Sequence, residues 1–158
     1  MPDLRLTLHP ALGAKTAVTS AEVRLSALPE GAIVHVLAAP GGPGILPGRQ
    51  GDVRAVSPGQ WFIVGDEPMT HSAMKTLFET LEPLATGVDQ SAGRVRIRIE
   101  GEQAERILSK GTAIDLSADS FPVGRSATTL IGHIAAQITR IGSDSFELIV
   151  LRSFAESL

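Results

Sequence analysis

The chain has 158 residues, 14 Lys and Arg against 17 Asp and Glu, 43% apolar residues, 4% aromatic residues and no Cys. One ordinary domain fits this length, and it can bury about two-thirds of its unfolded surface. The absence of Cys excludes disulfide frameworks, zinc ribbons and thiol nucleophiles, and a net charge of −3 with one Trp disfavours nucleic-acid binding.

Met1-Pro2-Asp3-Leu4-Arg5 carries an early acid and no apolar core, so it does not read as a secretory signal, and the expected compartment is the cytoplasm. Leu4–Leu8 and Glu22–Leu28 alternate with the period of half-buried strands, and Ile33–Ala39 is a β-branched apolar run. Pro29-Glu30-Gly31 reads as the turn of a hairpin joining the last two. Half of the positions from Pro40 to Gly59 are Gly or Pro, which predicts a long surface loop with at most a short strand at Val53–Val56.

Trp61–Val64 is the next strand. Met74, Leu77, Phe78 and Leu81 then fall on one helical face, with Thr70 as N-cap and Pro83 as terminator. In Gly93–Glu100, Val95, Ile97 and Ile99 point one way and Arg94, Arg96 and Arg98 the other. A helix follows with Ala104, Ile107 and Leu108 on its packed face and Gly111 as a left-handed C′ residue. Ile114–Leu116 reads as a short strand, Phe121–Gly124 as a turn, and Thr128–Ile141 as one extended segment. Gly142–Ser145 turns it into Phe146–Leu151, and Ser153 with Glu156 forms a capping box for a last helix. Trp61–Glu82 and Phe146–Leu158 are each a strand running into a helix. This predicts one α+β domain over residues 1–158, built from two similar βα units.

The chemistry-bearing residues are scattered. His9, His35, His71 and His133 have no metal-ligand spacing and read as packed or surface histidines. Gly41-Gly42-Pro43-Gly44 lacks the following helix that a phosphate cradle needs. The Arg94/Arg96/Arg98 stripe reads as a solvated face or as partner to acids on a neighbouring strand, and otherwise as a docking patch. Asp89, Asp115 and Asp119 read as turn caps, and Ser126 and Ser153 lack a nucleophile-elbow context. No catalytic, cofactor-binding or metal residue is assigned.

Several stretches together resemble a known family. They are Val88–Arg94, Ile99–Gly111, Ile114-Asp115-Leu116, Phe121-Pro122 with Gly124-Arg125, Thr129 with Gly132-His133, and Arg152–Leu158, preceded by Ser57–Gly65. In this order they resemble the gamma subunit of heterotetrameric sarcosine oxidase. The resemblance implies a fold like the folate-binding domain of the glycine-cleavage T protein, a duplication of βα units. It implies an accessory, non-catalytic subunit of an oxidase that demethylates sarcosine to glycine, with hydrogen peroxide and 5,10-methylenetetrahydrofolate as products. FAD, FMN, NAD and tetrahydrofolate would lie on the alpha and beta subunits and zinc on delta. Alpha would be the main contact, with the Pro40–Gly59 loop and the Arg stripe as docking elements. The alternative is a stand-alone folate-binding aminomethyltransferase-like protein, which needs a buried carboxylate and aromatic pocket walls. A related tRNA-modification module fits the acidic charge poorly.

Overall fold

A computed structural model describes residues 9–42 and 52–158. The expected Leu4–Leu8 strand and residues 43–51 of the Gly/Pro-rich stretch lie outside them. Among the described residues, ten strands form two sheets, and every strand pair is antiparallel. The larger sheet takes the order β1 (Val18–Thr19), β2 (Arg24–Ala27), β7 (Arg94–Glu100), β10 (Ser145–Leu151), β9 (Ile134–Gly142) and β8 (Ser126–Ile131). The smaller takes the order β4 (Val53–Ser57), β5 (Gln60–Val64), β3 (Ile33–Ala38) and β6 (Ala85–Asp89).

Side-chain parity explains the layering. Val95, Ile97, Ile99, Phe146, Leu148, Val150, Ala136 and Ile138 share one face of the larger sheet and pack on Ala104 and Leu108 of α2 (Ala104–Ser109), on Leu116 and on Phe121. The opposite face meets the smaller sheet through Ile149, which packs with Ile33, Phe62 and Val64. The far face of the smaller sheet carries Val34, Val36 and Trp61 and is covered by α1 (His71–Leu81) through Met74, Leu77, Phe78 and Leu81. The result is four layers in the order α2, larger sheet, smaller sheet, α1.

α1 begins and ends where its residues dictate. The Thr70 hydroxyl accepts from Ala73 N–H at 3.2 Å, and Glu82 before Pro83 is already extended. Gly87 lies beneath α1, and a Cβ there would sit 2.5 Å from the Phe78 ring, so the close helix–strand approach requires a glycine. No helix among the described residues is long and apolar enough to cross a membrane.

Several expectations need correction. β2 and β3 do not form a hairpin: β2 pairs with β7 and β3 with β5 and β6, so Pro29–Gly31 carries the chain from one sheet to the other. Gly111 has no positive φ, because Lys110 caps α2 in a right-handed conformation. Ile107 is 45% exposed and lies at the rim of the packed face of α2. Ile114–Leu116 is irregular, although Leu116 is buried. Thr128–Ile141 is broken by a tight turn at Gly132-His133, where Gly132 takes φ +60°. The Ser153–Glu156 capping box is not formed: Arg152–Phe154 is one 3-10 turn without a side-chain cap. The second strand–helix unit is therefore absent, and the domain is richer in sheet than the βα duplication implied.

Candidate functional site

The arginine stripe of β7 is not a solvated face: Arg96 is buried, and Arg94 and Arg98 are half-buried. It faces inward between the sheets, because the smaller sheet covers the side of β7 that strand alternation leaves polar. Arg96 is 6% exposed and is met there by Glu147 of β10, 1% exposed. Glu147 Oε2 accepts from Arg96 Nε at 3.0 Å and Nη2 at 2.6 Å, while its Oε1 accepts from Nε of Arg54 on β4 at 2.8 Å. Arg96 Nη1 also donates to Asp66 Oδ1 at 2.7 Å and to the Gly65 carbonyl at 3.2 Å. The expected pairing with an acid on a neighbouring strand is thus present, in buried form. Burial lowers the Arg96 pKa, but the Glu147 and Asp66 charges more than offset it and the net shift is upward. Both Glu147 oxygens are engaged, by three N–H donors in all, and burial keeps the carboxylate out of contact with solvent. The cluster joins two sheets.

The flanks of this cluster complete the interface. Gln137 Nε2 donates to the Ala55 carbonyl at 3.0 Å, and Thr128 Oγ1 to the Val56 carbonyl at 3.0 Å. The Arg94 guanidinium lies 4.7 Å from the centre of the Phe62 ring. His35 packs against the same ring at 5.0 Å, and its Nε2 pairs with Gln60 Oε1 at 3.2 Å. Burial holds the His35 pKa below its ordinary 6.5, and the nearby Arg94 adds to this against the Gln60 hydrogen bond.

A second arginine orders the opposite face. Arg140, 2% exposed, spans the Leu116 and Ser143 carbonyls and bonds Glu105 of α2 at 2.7 Å, with its guanidinium 4.5 Å from the Phe146 ring centre. It holds the irregular 112–125 segment over the core. Alternation gave no sign of this role, since Arg140 continues the apolar parity of Ile134, Ala136 and Ile138.

The other sequence candidates stay apart. His9, His71 and His133 are exposed, and the His9 carbonyl accepts from Arg152. Asp89 accepts from Ser91 N–H and Oγ at 2.9 and 2.6 Å; Ser91 Oγ in turn accepts from Ile33 N–H. Asp115 accepts from Ser120 Oγ and Ser117 N–H, and the Ser120 bond above all holds its pKa below the usual carboxylate value. Asp119 is exposed, Ser126 Oγ pairs with Thr139 Oγ1, and Ser153 is exposed. Gly41 takes φ +75° at the end of a turn, and Pro43 and Gly44 lie outside the described residues. No three His, Asp or Glu residues among those described converge as a metal site.

One cavity of about 360 Å³ opens on the α2 side of the larger sheet. Its walls are aliphatic, including Leu12, Leu25, Ile97, Ile107, Leu148 and Leu158, and Lys15 and Glu156 stand at it 3.9 Å apart. These walls do not fit a flavin, nicotinamide or folate group: they provide no aromatic ring to stack and no cluster of cations for a phosphate.

The comparisons with known proteins agree with one another. The solved heterotetrameric sarcosine oxidase from Corynebacterium sp. U-96, in complex with pyrrole 2-carboxylate, contains a chain of the same fold. The TM-score is 0.80 and the identity 22%, over 94% of this chain and 89% of that one. The sarcosine oxidase subunit gamma of Corynebacterium sp. (strain U-96) is 33% identical over 69 residues, which cover 44% of this chain and 34% of that relative. The match therefore spans about a third of the curated relative's length. The model of the sarcosine oxidase, gamma subunit family matches residues 50–158, most of both sheets and both helices. On that match, the chain belongs to the sarcosine oxidase gamma subunit family.

Proposed function

We propose that this chain is the gamma subunit of a heterotetrameric sarcosine oxidase and acts there as an accessory, non-catalytic piece. The family match over residues 50–158 carries the reading. The internal chemistry supports it, since the buried charges Arg54, Arg96 and Glu147 are bound to one another and join structural layers. The assembled enzyme would convert sarcosine to glycine, releasing hydrogen peroxide and passing the methyl carbon to tetrahydrofolate as 5,10-methylenetetrahydrofolate. FAD, FMN, NAD and folate would be held by alpha and beta and zinc by delta, with alpha the main contact and the cytoplasm the compartment. A distant kinship with the T-protein folate-binding domain would fit the topology. In each sheet a run of consecutive antiparallel strands returns to pair with an earlier strand: β4–β5 onto β3, and β8–β9–β10 onto β7.

Co-expression with alpha, beta and delta tests the reading. This chain is expected to be retained stoichiometrically on a tagged alpha subunit, and the oxidase made without it is expected to lose assembly or turnover. An oxidase that assembles and turns over normally without the chain would overturn the role. The folate-enzyme alternative needs aromatic walls, whereas the described cavity is aliphatic. Calorimetry of the isolated chain with tetrahydrofolate is expected to show no binding.

A further inference from the structure

The two sheets have four edges, and they are not equally protected. β1 spans only Val18–Thr19. β4 and β8 lie together, tied by Thr128 Oγ1 on the Val56 carbonyl, and the Ala55 carbonyl is occupied by Gln137. β6, the remaining edge, has five residues and hydrogen-bonds only to β3.

The register shows which of its backbone groups are open. Ala39 N–H donates to the Leu84 carbonyl at 2.9 Å and Gln90 N–H to the Ile33 carbonyl at 2.8 Å. These pairs set the parity of the β3–β6 ladder, so Thr86 opposite Leu37 and Val88 opposite His35 carry its bonds. The N–H and C=O groups of Ala85, Gly87 and Asp89 then point away from β3. Ala85 is buried, which leaves those of Gly87 and Asp89 available. On the face that overhangs the larger sheet, Leu84 is 53% and Val88 42% exposed, with exposed Thr86 between them. β6 has no Lys, no Pro and no bulge, and its one charge, Asp89, is turned back onto Ser91 N–H and Oγ.

From this geometry we infer that β6 is the docking edge for an extended segment of another oxidase subunit, which adds a fifth strand to the smaller sheet. The inference rests on the proposed gamma-subunit role. The unpaired groups of Gly87 and Asp89 fix the chemistry of the partner: an extended main chain whose bonds alternate with theirs. Leu84 and Val88, with Thr86 between them, favour apolar side chains at two positions of that segment four residues apart. The edge can accept a strand from another chain because, among the described residues, the outward groups of Gly87 and Asp89 have no partner.

The test uses the co-expressed complex. Amide exchange at Gly87 and Asp89 is expected to slow at least tenfold in the complex relative to the isolated chain. The double variant Thr86→Lys/Val88→Lys places guards on exposed positions. It is expected to reduce retention on the tagged complex at least tenfold, with the urea midpoint of the isolated chain unchanged. Leu130→Lys, at an exposed position on β8, is expected to be retained like the wild type. If the wild-type chain is retained while exchange at Gly87 and Asp89 is unchanged, this inference fails and the subunit reading stands. If the wild-type chain is not retained at all, both fail. Protection that rises with the concentration of the isolated chain alone would make the partner a second copy and overturn the inference. Should the lysine variant unfold, exchange on the wild-type complex decides alone.

Discussion

Glu147 and Asp66 are both carboxylates on Arg96, yet their surroundings separate their worth. Glu147 is buried with three N–H donors, and Asp66 is 66% exposed. Replacing Glu147 by Gln removes the buried charge that Arg54 and Arg96 share, an expected loss of about 3–5 kcal/mol in urea unfolding. Asp66→Asn acts on a solvent-screened end of the same network, and the expected loss is at most about 1 kcal/mol. His35 gives the pH dependence. Its folded pKa lies below 6.5, so between these values the unfolded chain binds more protons. Stability is then complete above pH 6.5 and falls as pH drops through that window. Urea midpoints measured from pH 7 downward are expected to show this slope in the wild type and a flatter one in His35→Gln. Alternation placed Arg94, Arg96 and Arg98 on one face correctly. It could not show that the face is internal, because the covering sheet comes from residues 33–89 and leaves no trace in the β7 pattern.

At the scale of elements, α1 was readable because its signals are local. The stripe, the Thr70 cap and the Pro83 stop all lie within one short stretch. Thr70→Ala is expected to cost about 1 kcal/mol of stability. Strand β6 is not legible for the opposite reason: Gly87 lowers its strand signal, and the need for that glycine comes from α1 pressing on it. Gly87→Ala is expected to destabilise by about 1–3 kcal/mol through overpacking against Phe78, measured by urea unfolding. Trimming the ring in Gly87→Ala/Phe78→Leu should recover part of that loss. The Gly132-His133 turn leaves little trace in the sequence because two residues suffice to reverse a hairpin, and the β-rich sequence on both sides continues without a Pro or Asn-Gly marker.

For the whole molecule, strand existence was largely legible and strand partnership was not. A strand pattern encodes which face is apolar and says nothing of which neighbour lies 70 residues away. Family membership survived this gap, since it rests on ordered short stretches of residues that need no topology. The sheets are held as one body by Arg54, Arg96 and Glu147, and the single Trp61 reports on the smaller sheet. Trp61 fluorescence and far-ultraviolet circular dichroism are therefore expected to give one coincident unfolding transition. In Glu147→Gln the two curves should separate, with the fluorescence midpoint shifted from that of the dichroism.

The place of β10 in the larger sheet has a consequence for biosynthesis. This strand sits between β7 and β9, and it is made after both. On the ribosome the smaller sheet, with all of its strands complete by Asp89, can close while the rest of the chain is still being added. The larger one keeps a vacant central slot until Ser145–Leu151 emerges, with β7 and β9 exposing apolar faces and unpaired edges in the meantime. The nascent chain thus passes through a half-built stage whose adhesive surface disappears only once Ser145–Leu151 has emerged. That interval is when a folding helper would have most to shield.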